Sequence, residues 1–247
     1  KDIREHLSQT LSNFEQDEEI LFAEIVDHFD GVTYFAATQQ GQIKRFERKE
    51  LSPWRTYRSK STKYAKLKDD ADRIVAVAPV VLEDIMIITK NGYGLRFNIE
   101  EVPVVGAKAA GVKAINLKDG DQVVAVFKST TPSMYLLTQR GSLKRMLQDD
   151  IPVTSRAKRG LQVLRELKNK PHRVFMAGPV NTDQGDFDLF TSQEEVAEQD
   201  QILAITSTTG QVTEVDLTQL SVSERTSNGS FVNDTISDQE VFSARIK

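Results

Sequence analysis

Short apolar runs recur along the chain, and each is followed by a turn and then by a segment in which apolar and polar residues alternate. The turn has the form Ser/Thr-x-x-Gly and occurs at Thr38–Gly41, Thr89–Gly92, Thr138–Gly141 and Ser207–Gly210. Glycine is favoured in short turns between antiparallel strands because it lacks a Cβ and adopts positive φ without a clash. The pattern therefore predicts a β-hairpin at each of the four turns.

Two further landmarks keep the same phase as these turns. A second glycine stands 19 residues after each of the last three turn glycines, at Gly111, Gly160 and Gly229, whereas the first repeat has Lys60 at that place. A Leu-Lys pair recurs at intervals of 50 residues, at Leu67, Leu117 and Leu167. Self-similarity at a fixed period of this length indicates a repeat architecture.

Each repeat is interpreted as four short strands. In the third repeat we expect these strands at Met134–Leu137, Ser142–Met146, Leu161–Leu164 and Arg173–Ala177. Four strands in about fifty residues, repeated along the chain, are typical of propeller blades that pack their faces against one another around an axis. The predicted fold is all-β and propeller-like, with recurring apolar positions such as Tyr135 and Leu136 in the core between blades.

The repeats predict a single domain over residues 1–247. Its blades are expected at about 31–80, 81–130, 131–180 and 201–247, and residues 1–30 supply only the second half of a repeat. We therefore expect the chain to be a fragment whose first blade is completed upstream. About twenty extra residues, near 179–201, interrupt the period with an acidic segment and predict an excursion or an added hairpin.

Charge is strongly segregated, although the formal net charge is only −4. Residues 1–30 carry a net charge of −7, residues 31–173 carry +13 and residues 174–247 carry −10. A basic section within an otherwise acidic chain is typical of a polyanion-binding surface. Ordinary solvated surface charge is the alternative interpretation.

Contacts to a phosphate backbone need cations displayed on a convex surface, because sequence-independent affinity comes mainly from neutralising phosphates. Hairpin ends and blade connections offer such a rim. The fourth repeat has only Arg225 in the matching loop and is predicted to contribute little. The candidate contacts are Lys44, Arg45, Arg58, Lys60, Lys63, Lys66, Arg96, Lys108, Lys113, Lys144, Arg145, Arg156, Lys158, Arg159 and Arg165.

Other chemistry has little support in the sequence. The chain has no cysteine, which argues against disulfides and thiolate metal sites and for a reducing compartment. We find no apolar run of membrane-spanning length, and the first five residues are too polar for a signal peptide. The acidic segments 69–72 and 119–121 lack the glutamate of a calcium loop and are predicted to be turns. The aromatic residues Trp54, Phe46, Tyr64 and Phe97 could stack on bases but are expected in the core or its cover.

Four segments of the sequence resemble a known family: residues 41–51, 92–97, 141–145 and 155–162. They are similar to the repeats of the C-terminal domains of DNA gyrase and topoisomerase IV A subunits. The resemblance covers nearly all of residues 12–177 and is strongest to the topoisomerase IV type of Gram-positive bacteria, including residues 102–113. It implies a β-pinwheel, a propeller variant with altered strand exchange between blades, whose outer rim binds and bends duplex DNA.

The resemblance also implies what this domain lacks. The gyrase version carries the box Gln-Arg-Arg-Gly-Gly-Lys-Gly, and the nearest loop here, residues 156–160, keeps the cations and one glycine. This departure favours the topoisomerase IV type over a gyrase wrapping domain. Two alternatives stay open: a gyrase wrapping domain, and a propeller used for protein–protein interaction. None of the five tyrosines follows an arginine, as the family's cleavage tyrosine does. The domain is therefore expected to be non-catalytic and to need no cofactor.

For the whole enzyme, the resemblance implies ATP-dependent decatenation and relaxation in chromosome segregation, with ATP and Mg²⁺ used outside this segment. The implied partners are double-stranded DNA, the remainder of the A chain of the enzyme, and its ATPase B chain. The expected location is the cytoplasm, in association with the nucleoid.

Overall fold

The computed structural model describes residues 21–22, 31–51, 66–67, 69–106, 108–181, 201–232 and 240–247. These residues form antiparallel strands joined by turns and by short 3-10 segments at Arg48–Leu51, Ile99–Glu101, Gln148–Asp150 and Leu217–Gln219. The strands, in chain order, are β1 Thr33–Thr38, β2 Gln42–Glu47, β3 Ile74–Val80, β4 Asp84–Thr89, β5 Tyr93–Asn98, β6 Val112–Lys113, β7 Val123–Lys128, β8 Ser133–Thr138, β9 Ser142–Leu147, β10 Leu161–Gln162, β11 Val174–Val180, β12 Ile202–Ser207, β13 Val212–Asp216, β14 Ser230–Phe231 and β15 Val241–Ile246.

The strands form four small sheets, or blades. The first three blades have four strands each, in the orders β3-β1-β2-β6, β10-β5-β4-β7 and β11-β8-β9-β14. Within the described part of the chain the fourth blade has three strands, in the order β13-β12-β15. The all-β, propeller-like fold predicted from the repeats is confirmed.

One strand of each of the first three blades comes from the following repeat. Strand β6 of the second repeat pairs with β2 of the first blade, β10 of the third repeat pairs with β5, and β14 of the fourth repeat pairs with β9. The strand predicted at Leu161–Leu164 therefore exists at Leu161–Gln162, but it lies in the second blade and not in the third. This strand exchange joins neighbouring blades at three junctions, which we number in chain order.

The four hairpins predicted from the Ser/Thr-x-x-Gly turns are all present. Each turn glycine has positive φ, between 79° and 85°, which explains why glycine is required there. The hydroxyl of the first turn residue adds a bond of its own, because Thr38, Thr89 and Thr138 accept the backbone N–H that follows the glycine at 3.1–3.2 Å. The turn motif thus encodes both the backbone shape and a side-chain bond that stabilises it.

The second recurring glycine allows a close approach between neighbouring blades. A Cβ added at Gly111 would lie 2.5 Å from the carbonyl oxygen of Ile43, and one added at Gly160 would lie 2.4 Å from that of Gly94. Gly229 has the same relation to Leu143, again at 2.4 Å. Carbon and oxygen do not approach that closely without bonding, so each exchanged strand needs glycine where it meets the preceding blade.

The core lies between the blades, and the central strands β1, β4, β8 and β12 are buried on both faces. Apolar side chains of successive blades interlock in three clusters, which bring together Phe35 and Ile87, Met86 and Met134, and Leu137 and Leu203. Phe46 and Phe97 are also buried, with 4% and 0% of their surface exposed, which confirms their interpretation as core residues. Trp54 and Tyr64 lie outside the described residues.

The acidic segments predicted to be turns are confirmed as turns. The Asp69 carboxylate accepts the backbone N–H of Ala71 at 2.9 Å, and this bond, with one from the Gln40 side chain, lowers the pKa of Asp69. Asp121 accepts the backbone N–H of Asn91 in the adjacent hairpin at 2.9 Å. These carboxylates stabilise loops and hairpins.

The extra segment between the third and fourth blades begins and ends at one place. The backbone N–H of Asn181 donates to the Gln201 side chain at 2.8 Å, and the Gln201 amide donates to the carbonyl of Pro179 at 3.1 Å. Residues 182–200 lie outside the described part of the chain, as does nearly all of the predicted partial blade at 1–30. From that partial blade, the Phe22 ring meets Tyr34 edge-on at 5.9 Å. Among the described residues no helix is both long enough and apolar enough to cross a membrane.

Candidate nucleic-acid interface

Two of the candidate cations lie in the core. Lys44 on β2 and Lys144 on β9 are only 4% and 2% exposed. The Lys144 ammonium donates to the carbonyl oxygens of Val163 at 2.5 Å, Arg225 at 2.6 Å and Ser227 at 2.8 Å. Lys44 donates to the carbonyl of Ala109 at 3.3 Å. The prediction that these two lysines contact phosphate is wrong, because their amino groups face the loop of the next repeat.

Burial changes the chemistry of both amines. It lowers the pKa of Lys44, against a smaller opposing effect of Glu50. It lowers the pKa of Lys144 to about 7, with the nearby charge of Arg225 acting in the same direction. A charged ammonium is costly in a poorly solvated site, which is the physical cause of both shifts. The second blade has Leu95 at the equivalent position, also buried, so this position belongs to the core in all three junctions.

The three candidate arginines that follow the hairpin turns are held within the protein. The Arg45 side chain donates to the carbonyl of Val102 at 2.7 Å. Arg145 donates to the Ser133 hydroxyl at 2.8 Å and to the carbonyl of Thr218 at 2.9 Å. Arg96 is paired with two carboxylates, Asp149 at 2.8 Å and Asp84 at 3.5 Å. These bonds connect each hairpin to the repeat that follows it and give Arg45, Arg96 and Arg145 a structural role. Contact between these three half-buried arginines and phosphate stays a prediction.

The loop of the third repeat, residues 153–160, displays its cations on the outside of the second junction. Lys158 and Arg159 are exposed, whereas Arg156 is half-buried and donates to the carbonyl of Lys113. The Glu101 carboxylate accepts the backbone N–H of Arg156 at 2.8 Å. Arg225 of the fourth repeat makes the equivalent bond to Gln162 at 2.5 Å, so this arginine position holds the loop against the preceding blade.

Backbone bonds dock this loop directly on the second repeat. The N–H of Ala157 donates to the carbonyl of Ala114 at 2.8 Å, and that of Asn116 donates to the carbonyl of Lys158 at 2.9 Å. Ala157 has a φ of 64°, a left-handed conformation that is unfavourable for alanine and is maintained by this docking. Docking brings cations of two repeats together in what we call the junction cluster, which consists of Lys113, Lys118, Arg156, Lys158 and Arg159.

Sequence reasoning did not identify two residues of this interface, Tyr93 and Lys118. The Lys118 ammonium lies 5.8 Å from the centre of the Tyr93 ring, and the Arg159 guanidinium lies 5.3 Å from the same ring. Lys118 belongs to the recurring Leu-Lys pair, which in the sequence alone is only a repeat landmark. Its recurrence beside the basic loops is the signal that could have identified it.

The remaining candidates are spread along the rim. Lys66, Lys108 and Arg165 are exposed and lie outside the junction cluster. The backbone of Arg165 pairs with the Asn228 side chain at 2.8 and 3.1 Å, which leaves the guanidinium at the surface of the third junction. Arg58, Lys60 and Lys63 lie outside the described residues. Contact between any of these residues and DNA stays a prediction.

The fourth blade differs in charge from the others. Glu214, Asp216, Glu224 and Glu240 lie on it or on its connections, and the Lys247 ammonium is paired with Glu214. Its one predicted loop cation, Arg225, is used in the bond to Gln162. The expectation that this blade contributes little to DNA binding stays a prediction with physical support.

Comparison with known proteins defines the class of this domain. The family model of the DNA gyrase C-terminal domain, beta-propeller, matches residues 34–80, 83–130 and 133–181, which are the first three repeats. The chain therefore belongs to the DNA gyrase C-terminal domain family. The resemblance seen in the turn motifs and basic loops is confirmed.

Within that family, the chain is similar to the A subunits of DNA topoisomerase 4. It is 62% identical over its whole length to the protein of this name from Streptococcus pyogenes serotype M3 and 63% identical to that from Streptococcus pneumoniae serotype 4. The chain spans 30% of the length of each of these relatives.

Two solved structures have a similar fold. A crystal structure of the C-terminal domain of DNA topoisomerase IV matches with a TM-score of 0.78 and 32% identity, covering 94% of this chain and 67% of that one. A DNA gyrase A C-terminal domain matches with a TM-score of 0.71 over 96% of this chain and 73% of that one. At 20% identity, the gyrase match supports the fold alone.

Proposed function

We propose that this chain is the non-catalytic DNA-binding and DNA-bending domain of the A chain of a topoisomerase IV. The observation that carries the proposal is the junction cluster, where cations of two repeats are held on the outside of one blade junction by backbone bonds. An exposed surface with closely spaced cations suits a polyphosphate backbone and does not require base reading. The degenerate loop at residues 156–160 and the similarity to topoisomerase IV relatives favour this function over gyrase-type wrapping.

The mechanism follows from the shape and charge of the rim. Curving a duplex around the blades costs on the order of 1–6 kcal/mol for a site of 20–30 base pairs, so a single contact is not sufficient. The junction cluster supplies several contacts at one point, and Lys66, Lys108 and Arg165 supply others along the rim. A duplex held in this way is bent, and a second segment is guided to the catalytic part of the enzyme.

The proposed setting is that of the whole enzyme. The domain would act with the remainder of the A chain and with the ATPase B chain in ATP-dependent decatenation and relaxation during chromosome segregation. ATP and Mg²⁺ would be used outside this domain, which needs no cofactor for electrostatic binding. The proposed location is the cytoplasm, at the nucleoid.

The first test is the salt dependence of DNA binding. We expect the wild-type chain to bind a fluorescent duplex of about forty base pairs, with an affinity that falls steeply as salt rises, because each neutralised phosphate releases counterions. Replacing Lys113, Lys158 and Arg159 together by glutamine should weaken binding about tenfold or more and reduce the slope of log K against log salt by up to about 2.7. Fluorescence anisotropy across a salt series measures both quantities.

The matched control is a triple glutamine variant of Lys90, Lys168 and Lys170, three exposed lysines outside the junction cluster. It makes the same change in net charge and should alter affinity and slope less. Equal effects of the two triple variants would show that binding depends on net charge and not on the cluster. A flat salt response of the wild type would contradict the proposed function and favour a propeller that binds proteins.

A further inference from the structure

The residue that follows the turn glycine differs among the three junctions. It is Gln42 in the first, Tyr93 in the second and Ser142 in the third. Each pairs with the strand received from the following repeat, since Gln42 faces Lys113, Tyr93 faces Gln162 and Ser142 faces Phe231. Within the described residues, only the second junction places an aromatic ring at this position.

Tyr93 is in contact with two cations from different loops. Arg159 lies 5.3 Å and Lys118 lies 5.8 Å from the ring centre, so the two charges cannot be farther apart than the sum of these distances. Both cations are exposed and belong to the junction cluster. The negative face of an aromatic ring attracts a cation within about 6 Å of its centre. Arginine makes this contact more often than lysine, because its planar guanidinium can stack on the ring.

The other junctions lack this combination of side chains. In the position of Arg159, the third junction has Asn228, whose carbonyl accepts the Ser142 hydroxyl at 2.5 Å. The first junction has Ala110 there. The third junction keeps the lysine of the Leu-Lys pair, Lys168, and has its ring on the exchanged strand, where Arg140 lies 5.5 Å from the centre of Phe231. Tyr93 is therefore distinguished by its place on the receiving strand and by its contact with two exposed cations from two repeats.

We infer that Tyr93 is a positioning residue of the DNA interface, which holds Lys118 and Arg159 at a fixed separation as a paired site for backbone phosphates. Free lysine and arginine side chains lose considerable rotational entropy when they engage a ligand. A ring that orders both side chains in advance reduces that loss, and the duplex is consequently anchored at the second junction more firmly than elsewhere on the rim. The inference rests on the proposed DNA-binding function.

The test compares Tyr93→Leu with Tyr93→Phe in the same anisotropy assay. Leucine fills similar space but has no π face, so Tyr93→Leu should weaken duplex binding about threefold to tenfold. Phenylalanine keeps the π face, so Tyr93→Phe should bind within about twofold of the wild type. Binding by Tyr93→Leu that equals or exceeds that of the wild type would overturn the inference.

A double-mutant cycle separates positioning from a general effect on folding. If Tyr93 acts through Arg159, then Tyr93→Leu should weaken binding much less in an Arg159→Gln background than in the wild type. Additive losses would overturn the inference even if both variants fold. Should Tyr93→Leu fail to fold, the cycle is run with Tyr93→Gln, which also has no aromatic ring and matches Gln42 at the equivalent position of the first repeat, and the same comparison decides. Absence of wild-type binding would instead contradict the proposed function itself.

Discussion

Replacing Gly160 by alanine is expected to lower the free energy of unfolding by about 2–5 kcal/mol. A non-glycine residue at a φ of 85° costs about 1–2 kcal/mol, and forcing a Cβ into filled space adds about 1–3 kcal/mol. The new Cβ would meet the carbonyl oxygen of Gly94 at 2.4 Å, and a strand backbone cannot give way as a flexible side chain does. Urea unfolding followed by far-UV circular dichroism measures the loss.

Gly210→Ala is the matched control for this prediction. Gly210 has nearly the same φ, 83°, but a Cβ there would meet nothing within 4 Å. This variant should carry only the backbone cost of about 1–2 kcal/mol. If both variants lose the same stability, the close approach of the exchanged strand to the second blade is not the reason for glycine at position 160. Gly160→Ala should also weaken DNA binding, because it displaces the loop that carries Lys158 and Arg159.

The second large effect is expected for Lys144→Met. Methionine has a similar length but no donor, so the carbonyls of Val163, Arg225 and Ser227 would lose a bonding partner. Each buried carbonyl left unsatisfied costs about 1–3 kcal/mol. Methionine avoids the cost of burying an amine, which offsets part of this loss, so the net loss of stability is about 2–4 kcal/mol. Lys168→Met, at an exposed site, should change stability by no more than about 0.5 kcal/mol. The same urea series compares the two variants.

Stability should also depend on pH through this amine. The pKa of Lys144 is lowered to about 7 in the folded chain from an ordinary value of 10.5, so between these values the unfolded chain binds a proton that the folded chain does not. Stability due to this residue therefore rises with pH across that window, with a slope of at most about 1.4 kcal/mol per pH unit.

The comparison between the wild type and Lys144→Met isolates this effect. The stability advantage of the wild type should be constant below pH 7 and should increase between pH 7 and 10. An advantage that stays constant up to pH 10 would show that the surrounding carbonyls keep the amine charged in the folded state. Unfolding curves at several pH values, with Lys168→Met as control, provide the measurement.

The hairpins and the blade architecture could be predicted from the sequence because their causes are local. A Ser/Thr-x-x-Gly turn specifies its own backbone shape and hydroxyl bond, and repetition of that turn specifies the number of similar units. The strand exchange could not be derived in this way. Leu161 and Gln162 look the same in the sequence whether they join their own blade or the preceding one, and only the resemblance to the family indicated exchange.

The site was predicted less accurately for a physical reason. Lys44 and Lys144 occupy mid-strand positions that would face solvent in a sheet with one covered face, but here the loop of the following repeat covers their amino groups. The equivalent position of the second repeat is Leu95, which indicates burial at this position. Choosing candidates by their charge alone did not take this leucine into account. Lys158 and Arg159 were identified correctly as exposed, because they lie in a loop. Their association with Tyr93 and Lys118 depends on docking between repeats, which one sequence does not reveal.

The offset between repeat and blade has a consequence for how such domains change in size. A repeat in the sequence and a blade in the structure have different boundaries, because one short strand of each repeat is part of the preceding blade. This difference is the same for β6, β10 and β14. Deleting the whole second or third repeat from the gene would therefore still leave the sheet before the deletion with a donor strand from its new neighbour. Gain or loss of blades in evolution needs no new pairing rule, only an in-frame event of about fifty codons, followed by adjustment of the two packing faces that are newly in contact.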